Sequence, residues 1–138
     1  MNDYSKDPKQ VIIIRKDLNM RKGKMIAQGA HASMKVIFDS MESNSYNDGS
    51  VINTLYFDKD SYLDLWINGC FKKIVVGAEN VTELVDAYQE AKKAGILCSL
   101  IEDKGLTEFG GNVTITAVAI GPDAPEKIDK ITGKFNLL

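Results

Sequence analysis

The side chains with the most chemical potential in this sequence crowd between Arg15 and His31. Residues 15–24 hold five bases (Arg15, Lys16, Arg21, Lys22 and Lys24) against one acid, Asp17, in a chain whose formal net charge is −2. If a helix opens near Lys24, the rotation of about 100° per residue brings Lys24, Gln28, His31 and Lys35 within roughly 60° of one another. That line contains no acid, whereas solvated helix faces commonly mix Glu and Lys at i,i+4 spacing. A helix N-terminus already carries unpaired N–H groups and partial positive charge. Placing Arg21, Lys22 and Lys24 there costs roughly a few tenths of a kcal/mol per charge. An arrangement that accepts this cost is expected to hold an anion, phosphate first of all. The plainer alternative is a merely solvated helix face. His31 could serve as a base, or simply line a groove or the surface.

A second group follows further along. Glu102-Asp103-Lys104-Gly105-Leu106-Thr107 reads as a turn after a strand, and Thr114 and Thr116 lie two apart on the next strand, where alternation puts them on one side. Ligands of open α/β sheets gather at the carboxyl ends of strands. If the strands before Lys24 and before Asp103 are neighbours, the two residues open onto one crevice. For the threonines, plain β-propensity is the competing explanation.

The elements that must position these groups are legible in outline. Residues 11–15 form a continuous apolar run, the mark of a strand buried on both faces. A helix is expected over 24–41, a surface loop over 42–51 and a short helix over 58–67. A buried strand follows at 73–77, then a helix capped by Asn80 and Glu83 and stopped by Gly95. Strands at 96–101 and 113–120 flank a loop at 102–112, and a short helix at 123–130 precedes a coil to Leu138. Strand–helix alternation implies mainly parallel pairing, but about ten residues are too few for a parallel crossover between the last two strands. The fold expected is α/β, a mixed four-stranded sheet flanked by helices on both faces in three α-β-α layers. Residues 1–9 read as a flexible leader and 10–138 as one domain.

Composition narrows the function. With 44% hydrophobic and 26% charged residues the chain reads as an ordinary globular protein, and any nucleic-acid contact must come from a local patch. Cys70 and Cys98 lack CxxC spacing and fit reduced thiols in the cytoplasm; with one His in the chain, no zinc site is expected. No stretch reaches the ~18 apolar residues of a membrane span, and the polar first ten residues do not read as a signal peptide. Asn19 stands where a Walker loop needs glycine, and GxGxxG, HExxH and GxSxG are absent.

Arg15-x-Asp17-Leu18-x-Met20-x-Lys22-Gly23-Lys24-x-x-Ala27-Gln28-x-x-His31-Ala32 resembles the opening signature of the archaeal and eukaryotic type of peptidyl-tRNA hydrolase. Ile101-Glu102-Asp103-x-Gly105-x-Thr107 resembles its second motif. Thr114-x-Thr116-Ala117-x-Ala119-Ile120-Gly121-Pro122, Ile128-Asp129-x-Ile131-Thr132-Gly133 and the Leu137-Leu138 ending resemble its tail. The resemblance implies hydrolysis of the ester between a peptide and the 3′ ribose of tRNA, without metal or cofactor, by a protein often found as a homodimer. It puts the functional lysine on Lys24, the aspartate on Asp103 and the threonines on Thr107 and Thr116, with Lys22 and Gln28 at matching positions. Lys24 is then expected to stabilise the oxyanion or the terminal ribose-phosphate, and Asp103 with Thr107 to position water, since a carboxylate near lysines is a poor base. Arg15, Lys16, Arg21, Lys22 and Lys35, with Gln28, His31 and Thr114 nearby, are expected to hold the tRNA. Lys104, residues 108–112 and Gly69-Cys70-Phe71 depart from the family pattern and should reshape the acceptor-end pocket. The rival expectations are a non-catalytic tRNA-binding module on the same scaffold and a phosphate-binding α/β domain without an RNA partner.

Overall fold

A computed structural model of the chain describes residues 6–105 and 109–138. In order it forms β1 (Lys9–Arg15), α1 (Lys22–Asp39), β2 (Glu42–Ser45), β3 (Val51–Thr54), α2 (Tyr62–Leu65) running into a π-helical turn (Trp66–Cys70), β4 (Lys73–Ala78), α3 (Val81–Lys93), β5 (Cys98–Asp103), β6 (Thr114–Asp123), α4 (Pro125–Thr132) and β7 (Asn136–Leu137). The main sheet is mixed and runs β5-β6-β1-β4-β7. β1 pairs parallel with β4 and antiparallel with β6, and β6 pairs antiparallel with β5. The carboxyl ends of β1, β4 and β5 therefore share one edge.

The apolar run of β1 divides between two cores. Val11 and Ile13 join Leu84, Ala87 and Ala91 of α3 and Ile128 and Ile131 of α4. Ile12 and Ile14 join Ala32 and Val36 of α1 with Ala117 and Ala119 of β6. Each of the larger aliphatic side chains buried in this way contributes about 1.5–3 kcal/mol, so residues 11–14 are apolar on both faces of the strand. Asn80 caps α3 as its position suggests, accepting from the Glu83 amide at 2.9 Å, while the Glu83 carboxylate reaches back to the Glu79 amide at 2.8 Å.

Two expectations need correction. The sheet has five strands, not four, because the C-terminal residues pair with the far edge of β4: Leu137 opposite Val76 and Asn136 opposite Gly77. A two-residue strand carries no alternation that a sequence reading could detect. Residues 42–51 also include the first strand and turn of an exposed hairpin, β2–β3, rather than only a loop. Asp48 closes its turn by accepting from the Ser50 amide and hydroxyl. Because every hairpin residue except Thr54 is exposed, no apolar periodicity marked it.

Gly121 has a backbone φ of +102°, and a Cβ there would lie 2.5 Å from the Lys9 carbonyl oxygen and 2.6 Å from Ile128 Cδ1. Gly23, early in α1, has nothing within 4 Å of such an atom. We expect Gly121→Ala to lower unfolding free energy by about 2–4 kcal/mol and Gly23→Ala to leave it unchanged or raised by up to about 1 kcal/mol, as read from urea denaturation. Equal midpoints for the two variants would contradict this packing.

Candidate active site

Lys24 lies in the first turn of α1 and Asp103 ends β5, with β6 lying between β5 and the strand that leads into α1. The two strands are thus not neighbours, as the simplest route to a shared crevice would require. The residues meet because α1 packs across β1, β6 and β5 together, spanning two strand spacings of about 4.8 Å each. Lys24 Nζ donates to Asp103 Oδ2 at 2.9 Å, and both side chains are 13% exposed. The ammonium also sits 5.4 Å from the centre of the Phe109 ring.

Gln28, one turn further along α1, is completely buried and joins the pair. Its Nε2 donates to Asp103 Oδ2 at 2.8 Å, and its Oε1 accepts from the Thr116 hydroxyl at 2.5 Å. The opposite orientation of the amide would set an oxygen against a carboxylate, so the network fixes the side chain's direction. The other carboxylate oxygen, Oδ1, accepts from the Gly105 amide at 2.7 Å. Gly105 has φ +73°, and a Cβ there would collide with the Asn112 backbone, so this turn needs glycine. Among the described residues, Asp103 therefore receives three donors. The Lys24 hydrogen bond, with the Gly105 amide next, holds its carboxyl below the usual carboxylate range against the opposing effect of burial.

Thr116 owes its direction to a bulge. Ile101 pairs with Ala117, but Glu102 pairs with Ile115, which leaves Thr116 as one extra residue on β6. Ala117 packs in the α1-side core, and Thr116 beside it turns to the same side to meet Gln28. Strict alternation would separate them; the bulge re-aims the side chain. Thr114 does not join this network: its hydroxyl donates to the Asn112 carbonyl at 3.1 Å. Thr107 lies outside the described residues.

The remaining basic candidates are dispersed. Arg15 is paired with Asp17 and also donates to the Ile115 carbonyl. Lys16 pairs with Glu79 at 3.0 Å and Lys35 with Asp39 at 3.2 Å. The Lys35–Asp39 pair supplies an i,i+4 acid that the line lacked when it ended at Lys35. Arg21 is the N-cap of α1, Lys22 is exposed in its first turn and His31 is exposed along it. The first turn of α1 contains no acid. Among the described residues, no three His, Cys, Asp or Glu side chains gather as a metal site would require, and no helix is long and apolar enough to cross a membrane.

Sequence reading missed a cavity of about 600 Å³ on the opposite flank of α1, where Ile12, Ile14, Met25, Gly29, Val75 and Leu138 contribute to its lining. Ile26 and Met34 form part of its rim and, with Phe38 further along the helix, are 73%, 55% and 53% exposed. Their spacing of eight and four residues places them along one ridge, a signal that was available once the helix was drawn.

Comparison with known proteins bears directly on this geometry. Residues 8–138 match the family model described as peptidyl-tRNA hydrolase PTH2. A Methanocaldococcus jannaschii protein named peptidyl-tRNA hydrolase is 42% identical over 130 residues, 94% of this chain and 99% of its own length. Proteins of the same name from Thermococcus sibiricus and Sulfolobus acidocaldarius are 40% and 35% identical, over 94% of this chain and 97% and 99% of theirs. A solved structure of an Agrobacterium protein of unknown function covers 96% of this chain and 98% of its own with a TM-score of 0.55 at 15% identity, a likeness of fold alone.

The depressed Asp103 titration carries a sign. Between the folded value and the unfolded value near 3.8, the unfolded chain binds more protons, so stability rises with pH there. The contribution is complete above the unfolded value and is lost as pH falls through the folded one. Denaturant midpoints of wild type and Asp103→Asn should differ at neutral pH and converge in acid below about pH 3.8. A gap that persists unchanged to lower pH would mean that the carboxylate's charge is not what the network stabilises.

Proposed function

The chain belongs to the peptidyl-tRNA hydrolase PTH2 family, and on that premise we propose how its residues carry out the reaction. It hydrolyses the ester between a peptide, or an N-blocked amino acid, and the 3′ ribose of tRNA, and so recycles peptidyl-tRNA. The observation that carries the assignment of residues is the Lys24–Asp103 contact of 2.9 Å, braced by buried Gln28 and Thr116.

Water attacks the ester carbonyl, the bond to the ribose 3′ oxygen breaks, and the peptide leaves as a carboxylic acid while the ribose regains its hydroxyl. The tetrahedral intermediate carries an oxyanion, and a positioned ammonium is suited to stabilise it. Lys24 takes that role. Asp103, ionised and already accepting three hydrogen bonds, is a poor proton acceptor; its work is to orient Lys24 and the attacking water. Gln28 and Thr116 hold the carboxylate, and Thr107 is assigned to the water by motif position. Exposed Lys22, with Arg21, His31 and Lys35 along α1, would meet the acceptor-stem phosphates, helped by the acid-free N-terminus of the helix. We assign this activity to the cytoplasm, where the unpaired thiols of Cys70 and Cys98 are at home.

We expect Lys24→Ala and Asp103→Asn each to reduce release of N-acetyl-amino acid from N-acetyl-aminoacyl-tRNA about a hundredfold or more, with circular dichroism unchanged. Near-normal turnover by both would end the assignment. Wild-type protein that retains this tRNA without cleaving it would favour the binding-module alternative.

The ridge of Ile26, Met34 and Phe38 beside the 600 Å³ groove supports a homodimer, because ridge and groove on one surface can pair reciprocally about a two-fold axis. Met34→Glu should then shift the light-scattering mass from dimer toward monomer. A wild type that is monomeric at high concentration would remove the proposal.

A further inference from the structure

Arg15 closes β1 with its guanidinium turned back onto the protein. Nε and Nη2 donate to the two carboxylate oxygens of Asp17 at 3.0 and 2.7 Å, while Nη1 donates to the Ile115 carbonyl oxygen at 3.0 Å. The side chain is 14% exposed. Such a two-point fork is rigid and directional, and lysine cannot reproduce it. Asp17 stays ionised in it, since the Arg15 hydrogen bond holds its carboxyl below the ordinary range.

The group that Arg15 grips is the one beside the bulge. The backbone ladder between β1 and β6 ends at Ile14 opposite Ala117. On the other side of β6, the register with β5 slips at Thr116. The Ile115–Thr116 segment thus lies beyond the end of one ladder and at a break in the other. The Nη1 contact extends the β1 side of the sheet by one side-chain bond, at the point where the backbone has stopped supplying them.

We propose that Arg15, oriented by Asp17, is a positioning residue for ester hydrolysis: by holding the Ile115 carbonyl it fixes the bulge that turns Thr116 onto Gln28, and so sets the Gln28 amide against Asp103. The inference rests on the Lys24–Asp103 pair being the hydrolytic centre. It gives Arg15 a different task from the tRNA contact that its place in the basic turn suggests. A phosphate contact needs uncommitted donors, as at exposed Lys22, whereas three of the five N–H bonds of this guanidinium are already committed to Asp17 and the Ile115 carbonyl. A displacement of about 1 Å at the bulge would break the Thr116–Gln28 contact, and misplacements of that size are worth up to about a hundredfold in rate.

Two variants test the idea in a steady-state assay on N-acetyl-aminoacyl-tRNA over a range of salt concentrations. Arg15→Lys keeps the positive charge and loses the fork; Asp17→Asn keeps every base and loses the partner that aims Arg15. Both should lower kcat roughly tenfold or more, leave KM within about twofold, and leave the slope of log kcat/KM against log salt unchanged. The side-chain amide resonances of Gln28 should move in both, although neither substituted residue touches Gln28. Lys22→Ala is the contrast: KM should rise and the salt slope should fall by about one.

If Arg15→Lys turns over at the wild-type rate, or if its defect lies in KM with a reduced salt slope, Arg15 is not a positioning residue. Should Arg15→Lys fail to fold, Asp17→Asn decides alone, and a full kcat in it overturns the proposal. Lys24→Ala in the same assay separates the two levels. Activity in that variant sinks the hydrolytic centre itself, whereas an inactive Lys24→Ala beside a fast Arg15→Lys sinks only the brace.

Discussion

A carboxylate withdrawn from bulk water must be given donors, and among the described residues Asp103 is given three from two stretches of chain: Lys24 and Gln28 from α1, and the amide of Gly105 from the turn that follows β5. That requirement governs how the molecule is assembled. It holds the start of α1 over the far edge of the sheet, two strands away from the strand it leaves. It demands glycine at 105, and it lets a glutamine be completely buried, because both ends of its amide are satisfied. Ala32 of α1 meets Ala117 and Ala119 of β6 in the same core, and small residues there allow the close approach that a 2.9 Å contact needs.

The same helix answers three demands on three faces. One face, with Ala32 and Val36, seals the sheet; a second carries Lys24 and Gln28 to Asp103; the third presents Ile26, Met34 and Phe38 to the outside. An 18-residue helix that carries no acid in its first turn and no base in its last forgoes the ordinary stabilisation of its dipole. Packing must supply that stability instead, and the apolar run 11–14 of β1 beneath it provides the surface. The 600 Å³ cavity and the Lys24–Asp103 pair lie on opposite flanks of this helix, and it is on Asp103 that the buried polar contacts converge.

How much of this a sequence can reveal depends on the range of the interaction. The strand at 11–15, the capped helix after Asn80 and the antiparallel turn between the last two main strands were legible because hydrophobic pattern, cap chemistry and loop length are local. The pairing of Lys24 with Asp103 was legible only as a condition, since 79 positions separate them and the order of strands was not available. The condition itself failed, with β6 intervening, and the pair formed because a helix is wide enough to reach across. β7 has two residues and β2–β3 has almost no buried face, so neither left a periodic trace. The bulge at Thr116 left none either: a single unpaired residue becomes visible only when both partner strands are in place. The Arg15–Ile115 contact was out of reach for the same reason, because the charge of Arg15 is local information and the carbonyl it holds is 100 positions away.

The chemistry follows from how little freedom remains in the pair. A carboxylate held below its ordinary range by a lysine and a backbone amide has been tuned away from proton abstraction. Under the assignment proposed above, the Lys24 ammonium supplies the positive charge that a developing oxyanion needs. Catalysis would then depend on charge already pointing where the transition state needs it, with little reorganisation when the oxyanion forms. A site of that kind is more sensitive to the direction of its groups than to their basicity. On that assignment the buried glutamine, the re-aimed threonine and the arginine behind the bulge have a common purpose: none adds charge at the reacting atoms, and each would remove a way for the lysine–aspartate pair to drift.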